Sequence, residues 1–241
     1  MCIRDSKKVM EVNIEGVFNI LRATAGVRGL KRFVDFSTSE VFGAQAYNVD
    51  EFTINPTVTV GEARWTYAIS KLAGEFITHT YHLEDGVPTV TIRPFNVYGP
   101  NQVGVGAIHH FVVRAIRGED LVIHDDGSQI RAWCYVDDFI HGVLLAMVSE
   151  KGVGKSYNIG NPRSTVTVYN LARMIVDVAG SKSKLRFKRV NYLDVALRIP
   201  NISLAREDLG FEPQVELEEG LRRTIDWYRG KLARQQAVEQ S

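Results

Sequence analysis

The stretch Arg32-Phe33-Val34-Asp35-Phe36-Ser37 decides the fold, because it is a short apolar run between two segments of helical periodicity. It predicts a buried strand. The helical pattern before it runs from Lys7 to near Gly26, and the one after it runs from Arg64 to Leu83. The β-branched run Pro88-Thr89-Val90-Thr91-Ile92 predicts the next strand. Helix and strand alternate, which predicts a parallel α/β sheet that binds ligands beyond the carboxyl ends of its strands.

The second half of the chain has a less regular pattern, which predicts a smaller region of mixed helices and strands. The predicted elements are a helix at Ile108 to Arg117, strands at Leu121 to His124, Ala132 to Val136 and Ser156 to Ile159, and helices beginning at Asp137, Val168 and Leu217. We expect residues 7–100 to form a sheet domain and residues 101–241 to form mainly a substrate-binding region, with residues 131–160 returning to the sheet. Thr38 to Ala63 is predicted as one long connection.

The composition excludes several classes of partner. Lysine plus arginine (29) nearly balances aspartate plus glutamate (28), so no global field indicates nucleic acid or an anionic membrane. Two cysteines are too few for a disulfide framework, and neither they nor the six histidines form a metal-ligand pattern. No apolar run approaches the roughly 20 residues of a membrane span. We expect a cytoplasmic protein that binds no metal, no nucleic acid and no membrane.

Tyr67 and Lys71 are the first candidates for chemistry. Four residues separate them, so on a helix they share a face and the ammonium can lie near the phenol. A nearby positive charge lowers the pKa of an acid by about 1 to 3 units, which would make the phenol a usable general base. The spacing alone is a weak signal, because a solvated helix face can carry it by chance. The hydroxyl-rich run Ser37-Thr38-Ser39-Glu40 follows the first predicted strand.

Several separated motifs occur in one order along the chain. They are Asn13-Ile14-Glu15-Gly16, Ser37-Thr38-Ser39-Glu40-Val41-Phe42-Gly43, Tyr67-Ala68-Ile69-Ser70-Lys71, Arg93-Pro94-Phe95-Asn96-Val97-Tyr98-Gly99-Pro100, Gly127-Ser128-Gln129-Ile130-Arg131 with Tyr135-Val136-Asp137-Asp138, and Tyr157-Asn158-Ile159-Gly160-Asn161. Together they resemble the extended short-chain dehydrogenase/reductase family, specifically its nucleotide-sugar epimerases, dehydratases and decarboxylases. The resemblance implies a Rossmann-like parallel sheet with a smaller C-terminal α+β substrate-binding region, tightly held NAD, and a nucleotide-diphosphate sugar as substrate.

The resemblance assigns catalytic roles to four residues. Tyr67 would take the proton from the sugar 4-hydroxyl while hydride leaves C4, Lys71 would lower the pKa of Tyr67 and hold the nicotinamide ribose, and Thr38 would hydrogen-bond the sugar hydroxyl. Glu40 would act in the steps that follow oxidation at C4. An ordinary alternative for Thr38 is a residue that caps a turn at the end of a strand.

Further residues are assigned to ligand binding by the same resemblance. Near the cofactor it implies Asn13, Ser37, Tyr67, Lys71, Pro94 and Phe95, and near the substrate it implies Ser39, Asn96, Arg131 and Arg198. Alternatives remain for four of these: Asn13 as a polar helix position, Pro94 and Phe95 as parts of an apolar strand end, and Arg131 as a member of a surface salt bridge. An arginine fork does suit phosphate oxygens.

Glu40 indicates which reaction follows oxidation at C4. Family members that act at C5 or C6 carry a carboxylate here, whereas simple 4-epimerases commonly carry small or neutral residues. The pair Ser39-Glu40 resembles the UDP-glucuronate decarboxylases and the GDP-mannose dehydratases. Arg64-Trp65 and the run from Asp194 to Ile202 resemble bacterial decarboxylases, in which the arginine matching Arg198 helps the carboxylate leave. The predicted activity is a UDP-glucuronate decarboxylase or a sugar 4,6-dehydratase, with a 4-epimerase as the alternative.

The chain departs from the family at its beginning. The glycine-rich dinucleotide fingerprint and the acidic residue that follows it are absent from the sequence. We therefore expect an N-terminally truncated chain that lacks the first strands of the sheet, binds NAD poorly and is inactive by itself. Residues 1–6 also do not continue into the helical pattern, so their origin is open. The alternative from another class is a non-catalytic remnant that only binds a sugar nucleotide, and the coding sequence upstream of codon 7 distinguishes the two.

The resemblance also implies a homodimer. Family members commonly dimerise through the helix before the strand and the helix that bears the tyrosine. Here those helices are Lys7 to Ala25 and Arg64 to Leu83, which would form a four-helix bundle across a two-fold axis.

Overall fold

A computed structural model describes residues 6–24, 26–53, 65–102, 104, 106–190 and 194–239. The strands in chain order are β1 (Phe33–Phe36), β2 (Gln45–Val49), β3 (Thr89–Pro94), β4 (Val97–Tyr98), β5 (Leu121–His124), β6 (Ile130–Ala132), β7 (Cys134–Tyr135), β8 (Lys155–Ile159), β9 (Thr165–Thr167), β10 (Leu185–Lys188) and β11 (Leu197–Pro200). The α-helices are α1 (Ser6–Met10), α2 (Gly16–Thr24), α3 (Thr66–Asp85), α4 (Ala107–Arg117), α5 (Val136–Val148), α6 (Val168–Val178), α7 (Ser203–Leu209) and α8 (Leu217–Glu239). A π-helical segment, Glu11–Glu15, joins α1 to α2, and a 3-10 turn covers Ser39–Phe42.

The main sheet is parallel, in the order β1-β3-β8. Its apolar side chains on one face, such as Val90 and Ile92, pack against Ala146 of α5 and Ala205 of α7 in one buried cluster. On the other face α3 packs against β1 and β3, so both faces are covered, as parallel sheets require. The predicted parallel α/β sheet is confirmed.

A second body of structure is built around a four-stranded sheet in the order β2-β11-β6-β9, in which only β9 runs antiparallel to its neighbour. Helices α4, α6 and α8 enclose its neighbouring core, which includes the fully buried Ile108, Leu171 and Leu221. The chain returns from this body to the main sheet twice, at β8 and at α7. The division at residue 100 stays a prediction.

Two predicted elements are wrong in detail. The connection from Thr38 to Ala63 contains the strand β2, which pairs with β11 far along the chain; residues 54–63 lie outside the described residues, as do Ala25 and Arg64. The strand predicted at Ala132 to Val136 is divided, because β6 pairs with β11 and β9 whereas β7 pairs with β4.

Helices α3, α4, α5, α6 and α8 agree closely with the predicted ones, whereas α7 was not predicted and the helix predicted from Lys7 is interrupted by the π-helical segment. Gly86 ends α3 with a left-handed φ of 68° and donates its N–H to the carbonyl of His82, as its position predicts. Helix α8 continues past the predicted end to Glu239. Among the described residues, no helix has the length and apolar character needed to cross a membrane.

Candidate active site

Tyr67 lies in the first turn of α3, next to the carboxyl end of β1. The start of this helix is held by Trp65, which is buried with Ala68 and Val195. Thr38 follows the end of β1, and its hydroxyl oxygen accepts the N–H of Glu40 at 3.2 Å, which begins the 3-10 turn. The same hydroxyl hydrogen-bonds Tyr67. Thr38 therefore both caps a turn and contacts the tyrosine, so the two interpretations of this residue are compatible.

The electrostatic surroundings of Tyr67 differ from the expectation based on spacing. Burial raises the pKa of Tyr67, the negative Glu40 raises it further, and the hydrogen bond from Thr38 opposes the shift. The sequence predicted that Lys71 would lower the pKa of Tyr67, and in the chain alone the pKa is raised instead. A buried phenolate loses hydration, and the negative charge of Glu40 repels it. Lys71 instead acts on Asp35 of β1, where its charge opposes the effect of burial on the pKa of that carboxyl.

Glu40 and Arg198 form an ion pair beside this tyrosine. The Nη1 atom of Arg198 lies 3.6 Å from Oε1 of Glu40, and its Nη2 atom donates to the carbonyl oxygen of Gly43 at 3.0 Å. The Arg198 side chain is only 5% exposed, whereas that of Glu40 is 23% exposed. Residues far apart in sequence thus bring a hydroxyl, a phenol, a carboxylate and a guanidinium together at one edge of the fold.

Arg131 lies beside Arg198, because the two arginines are register partners on the parallel strands β6 and β11. Registered residues on neighbouring strands share a face of a sheet, so each like charge needs its own counter-ion. The counter-ion of Arg198 is Glu40. Arg131 lies 3.7 Å from its counter-ion Asp194 and also donates to the carbonyl oxygen of Val195. Arg131 therefore does make a salt bridge, although its side chain is only 11% exposed.

A cavity of about 530 Å³ opens at Arg131. His110 and Arg114 of α4 line it from one side, and Trp133 and Asp194 line it from the other. The indole N–H of Trp133 is buried and has no hydrogen-bond partner among the described residues. A cavity of this size that contains several cationic groups and a donor suits a phosphorylated ligand.

Asn96 joins the two bodies of the fold. Its backbone adopts a left-handed φ of 42°, its side-chain amide donates to the carbonyl oxygen of Ala132 at 2.8 Å, and its carbonyl accepts the N–H of Cys134. Pro94, two residues earlier, is half-buried at the end of β3. Phe95 is fully buried and packs against Phe42, with 5.9 Å between ring centroids, so its side chain belongs to a core cluster.

The serines and Asn13 lie around the tyrosine helix. The Asn13 amide donates to the hydroxyl of Ser70 at 2.9 Å, and that hydroxyl donates to the carbonyl oxygen of Tyr67. Ser37 donates its hydroxyl to Glu75, a buried carboxylate of α3. Ser39 is buried in the 3-10 turn. The ligand-binding roles of these residues stay predictions.

Sequence reasoning did not select Asp35, Glu75 or Arg93, all of which are buried within this group. A signal for Glu75 was available, since it continues the four-residue spacing of Tyr67 and Lys71 on the same helix face. Over the described part of the chain, no group of three His, Cys, Asp or Glu side chains is arranged to hold a metal ion.

Known proteins of similar sequence and structure point to one family. The chain is 33% identical over 233 residues to the UDP-N-acetyl-alpha-D-glucosaminuronate decarboxylase of Bacillus cytotoxicus, and this alignment covers 93% of the chain and 71% of that protein. It is 32% identical to UDP-glucuronic acid decarboxylase 1 of Arabidopsis thaliana over 93% of the chain, which spans about half of that relative, 51%.

A solved structure gives the same result. The crystal structure of UDP-glucuronic acid 4-epimerase from Bacillus cereus, in complex with UDP-glucuronic acid and NAD, matches with a TM-score of 0.83 and 28% sequence identity, over 91% of this chain and 68% of that one. The resemblance inferred from the motifs is thereby confirmed. Because the family model matches residues 2–160 as well, the chain belongs to the NAD dependent epimerase/dehydratase family.

Proposed function

We propose that this chain carries the base and the substrate site of an NAD-dependent decarboxylase that acts on a nucleotide-diphosphate uronic acid after transient oxidation at C4. The observation that carries the proposal is the Glu40–Arg198 ion pair beside Tyr67 and Thr38. A guanidinium at this point suits a substrate that brings a carboxylate of its own. The decarboxylases among the relatives support the same assignment.

The chain's own groups fit the nicotinamide end of NAD. The Lys71 ammonium makes no hydrogen bond to any residue in the described ranges, so it can donate to a ribose hydroxyl. Pro94, half-buried at the end of β3, offers an apolar surface near the same edge of the sheet. When bound, NAD supplies the acceptor for the C4 hydride and returns that hydride at the end of the reaction.

Tyr67 acts as the base in this proposal. Its phenolate takes the proton of the sugar 4-hydroxyl, and Thr38 orients that hydroxyl by a hydrogen bond. The raised pKa of Tyr67 in the chain alone means that the base becomes effective only when further positive charge reaches it. In the chain alone the charge of Lys71, four residues along the same helix, acts on Asp35, so this proposal requires bound cofactor and substrate to bring the Lys71 ammonium and the phenol together.

The decarboxylation step uses the ion pair. With C4 oxidised to a ketone, the carboxylate on C5 is in the β position, so the C5–C6 bond can break. Its electron pair then moves toward the C4 oxygen as carbon dioxide leaves. Arg198 binds and orients the departing carboxylate, and Glu40, which is partly exposed, passes a proton taken from solvent to C5 as the C4 ketone re-forms. The distance of 3.6 Å between the pair is longer than a hydrogen bond, so we propose that the substrate carboxylate competes with Glu40 for the Nη1 atom of Arg198 while Nη2 stays bonded to the carbonyl oxygen of Gly43.

The nucleotide diphosphate is assigned to the cavity at Arg131. Arg131 and Arg114 offer guanidinium groups to the phosphate oxygens, and the Trp133 indole offers a donor. These groups would neutralise the negative charge of the diphosphate locally. Local neutralisation is needed because a chain of net charge +1 has no overall positive field to attract the anion.

The direct test is product analysis. The protein, together with any in-frame upstream segment that its gene encodes, is incubated with NAD and either UDP-glucuronate, UDP-N-acetylglucosaminuronate or dTDP-glucose. Carbon dioxide release from a uronate supports the proposal, and a 4-keto-6-deoxy sugar instead supports a dehydratase. Binding of the sugar nucleotides without any turnover favours the non-catalytic alternative.

A variant pair isolates the role of the guanidinium. Arg198→Gln should lower kcat for carbon dioxide release by about 10²- to 10³-fold, because it removes a charge that acts on the departing carboxylate. Arg206→Gln is the matched control, since Arg206 pairs with Glu212 at 2.6 Å on the exposed surface. Equal kcat for both variants would contradict the role of Arg198.

A 4-epimerase is the second candidate. The structural match to a 4-epimerase that was crystallised with UDP-glucuronic acid favours it, because that structure shows an acidic sugar nucleotide bound to an enzyme named for epimerisation and not for decarboxylation. In the incubation above, a C4 epimer of the uronate without carbon dioxide identifies this activity.

The proposed homodimer is supported by apolar side chains on the two predicted interface helices. Val12 (55% exposed), Phe76 (68%) and Leu83 (69%) offer apolar surface to water in the single chain. Light scattering of the wild type and of Phe76→Asp tests this, with a monomeric variant expected. The cytoplasmic location stays a prediction.

A further inference from the structure

A buried ion pair lies beneath the tyrosine helix. The Nε and Nη2 atoms of Arg93 lie 3.0 and 2.6 Å from the Oε1 and Oε2 atoms of Glu75, so the contact is bidentate. The two side chains are 11% and 8% exposed. A buried pair of this kind contributes little to stability on balance, because desolvation offsets the attraction, so its presence calls for another reason.

The pair connects three elements that carry candidate site residues. Glu75 lies on α3 at the spacing that puts Tyr67, Lys71 and Glu75 on one helix face. Arg93 lies at the carboxyl end of β3, directly before Pro94. Each of these elements reaches the pair through a side chain, so none can shift without disturbing it.

The third element is the end of β1. The Ser37 hydroxyl donates to Oε1 of Glu75, and Ser37 directly precedes Thr38, which hydrogen-bonds Tyr67. The remaining face of the guanidinium is also held, because Nη1 of Arg93 donates to the carbonyl oxygen of Glu51 at 3.1 Å. The chain thus forms a closed loop of contacts that begins and ends at the tyrosine helix.

We propose that Glu75 and Arg93 are positioning residues for the reaction: their pair sets the rotation and height of α3 against the ends of β1 and β3, and so aligns Tyr67 with Thr38. The inference rests on the proposed function of Tyr67 as the base. Eight residues of helix place Glu75 about 12 Å from Tyr67 along the axis, so the pair acts as a remote anchor. A misplacement of about 1 Å at the reacting group can cost about 10²-fold in rate.

The substrate-binding arginines are held by other strands, which separates alignment from binding. Arg131 and Arg198 lie on β6 and β11, and neither contacts Glu75 or Arg93 through any hydrogen bond or ion pair found in the described ranges. Disturbing the anchor should therefore lower kcat while leaving the dissociation constant of the sugar nucleotide almost unchanged.

The test uses Glu75→Asp, which keeps the charge and shortens the side chain by one methylene. We expect kcat to fall at least about tenfold, with the Kd of the UDP-sugar from calorimetry within a factor of about two. Asp208→Glu is the matched control, since Asp208 pairs with Lys155 at 2.7 Å and joins α7 to β8 rather than α3 to β3. Asp208→Glu should leave kcat unchanged. Parallel losses of kcat and of affinity in Glu75→Asp would overturn the proposal.

A second measurement does not depend on turnover. With 3-fluorotyrosine incorporated, the ¹⁹F resonance of Tyr67 is identified by its absence from Tyr67→Phe and titrated in each variant. Glu75→Asp should move the midpoint of this residue downward, toward the exposed tyrosines, because a displaced helix weakens burial and the nearness of Glu40, the two larger effects, which both raise the pKa of Tyr67. An unchanged midpoint refutes the anchor even if the wild type proves inactive, so the failure of the proposed function and of this proposal are distinguishable.

A third variant guards against misfolding. Ser37→Ala removes only the hydroxyl that ties β1 to Glu75 and keeps the ion pair. It should shift the Tyr67 midpoint in the same direction by a smaller amount. A shift in the opposite direction would contradict the proposed geometry.

Discussion

Replacing Asp35 with asparagine is expected to change how the stability of the fold depends on pH. Asp35 lies on β1, is 6% exposed, and has an Oδ2 atom without a hydrogen-bond partner among the described residues. Burial raises the pKa of this carboxyl from its ordinary 3.8 to about 6, with Lys71 opposing the shift and Glu75 adding to it. The ionised form is therefore the costly one in the folded state.

The sign and size follow from proton linkage. Between pH 3.8 and about 6 the folded chain binds more protons at Asp35 than the unfolded chain does, so the free energy of unfolding falls as pH rises through this window. At about 1.36 kcal/mol per pKa unit the full loss is about 3 kcal/mol, of which about 2 kcal/mol falls between pH 4 and pH 7. Asparagine does not titrate, so Asp35→Asn should escape this loss.

The assay is urea denaturation followed by circular dichroism at a series of pH values. The quantity of interest is the free energy of unfolding of Asp35→Asn minus that of the wild type, because any constant cost of burying the amide cancels from its pH dependence. This difference should grow with pH and level off above about pH 6, the pKa of Asp35 in the folded protein. Asp126→Asn is the control: a hydrogen bond with Ser128 lowers the pKa of Asp126, so its removal cannot produce the same sign. A difference for Asp35→Asn that stays flat from pH 4 to pH 7 would refute the reasoning.

Three further perturbations test the packing of the fold. Gly220→Ala should destabilise the protein by about 1 to 3 kcal/mol, because the new Cβ would clash with the hydroxyl of the buried Tyr98; a wild-type urea midpoint would contradict this packing. Gly86→Ala should cost about 1 kcal/mol, since φ at this helix end is +68°, and an equally stable variant would argue against the left-handed cap. Burial raises the pKa of the Cys134 thiol, so in a Cys2→Ser background Ellman's reagent should label the protein only after urea is added; rapid labelling of the native protein would show that this core opens.

Local sequence patterns predicted the elements around the site well. The apolar run at Arg32 to Ser37 and the β-branched run at Pro88 to Ile92 became the parallel neighbours β1 and β3. The four-residue spacing of Tyr67 and Lys71 became one face of α3. These features depend on residues a few positions apart, which is why periodicity and capping residues suffice to find them.

Elements that depend on distant partners were missed. The sequence predicts a loop where β2 forms, because Gln45–Val49 contains Asn48, a residue typical of turns, whose φ is +49°. The strand that pairs with β2 is β11, at Leu197–Pro200, far along the chain. Likewise, nothing in the spacing of Arg131 and Arg198 indicates that they are register partners on adjacent strands. Such pairings are set by which apolar surfaces the whole chain can bury together.

The sequence by itself determined the family and the parallel α/β class, since motif order and local periodicity need no knowledge of distant contacts, and the family resemblance implied that Thr38 lies near Tyr67. Only the tertiary structure decided the electrostatics. Burial and Glu40 reverse the expected direction for the pKa of Tyr67, and Lys71 faces Asp35. The pKa of a group depends on how much solvent it loses on folding and on which charges then lie near it, and both depend on the tertiary structure.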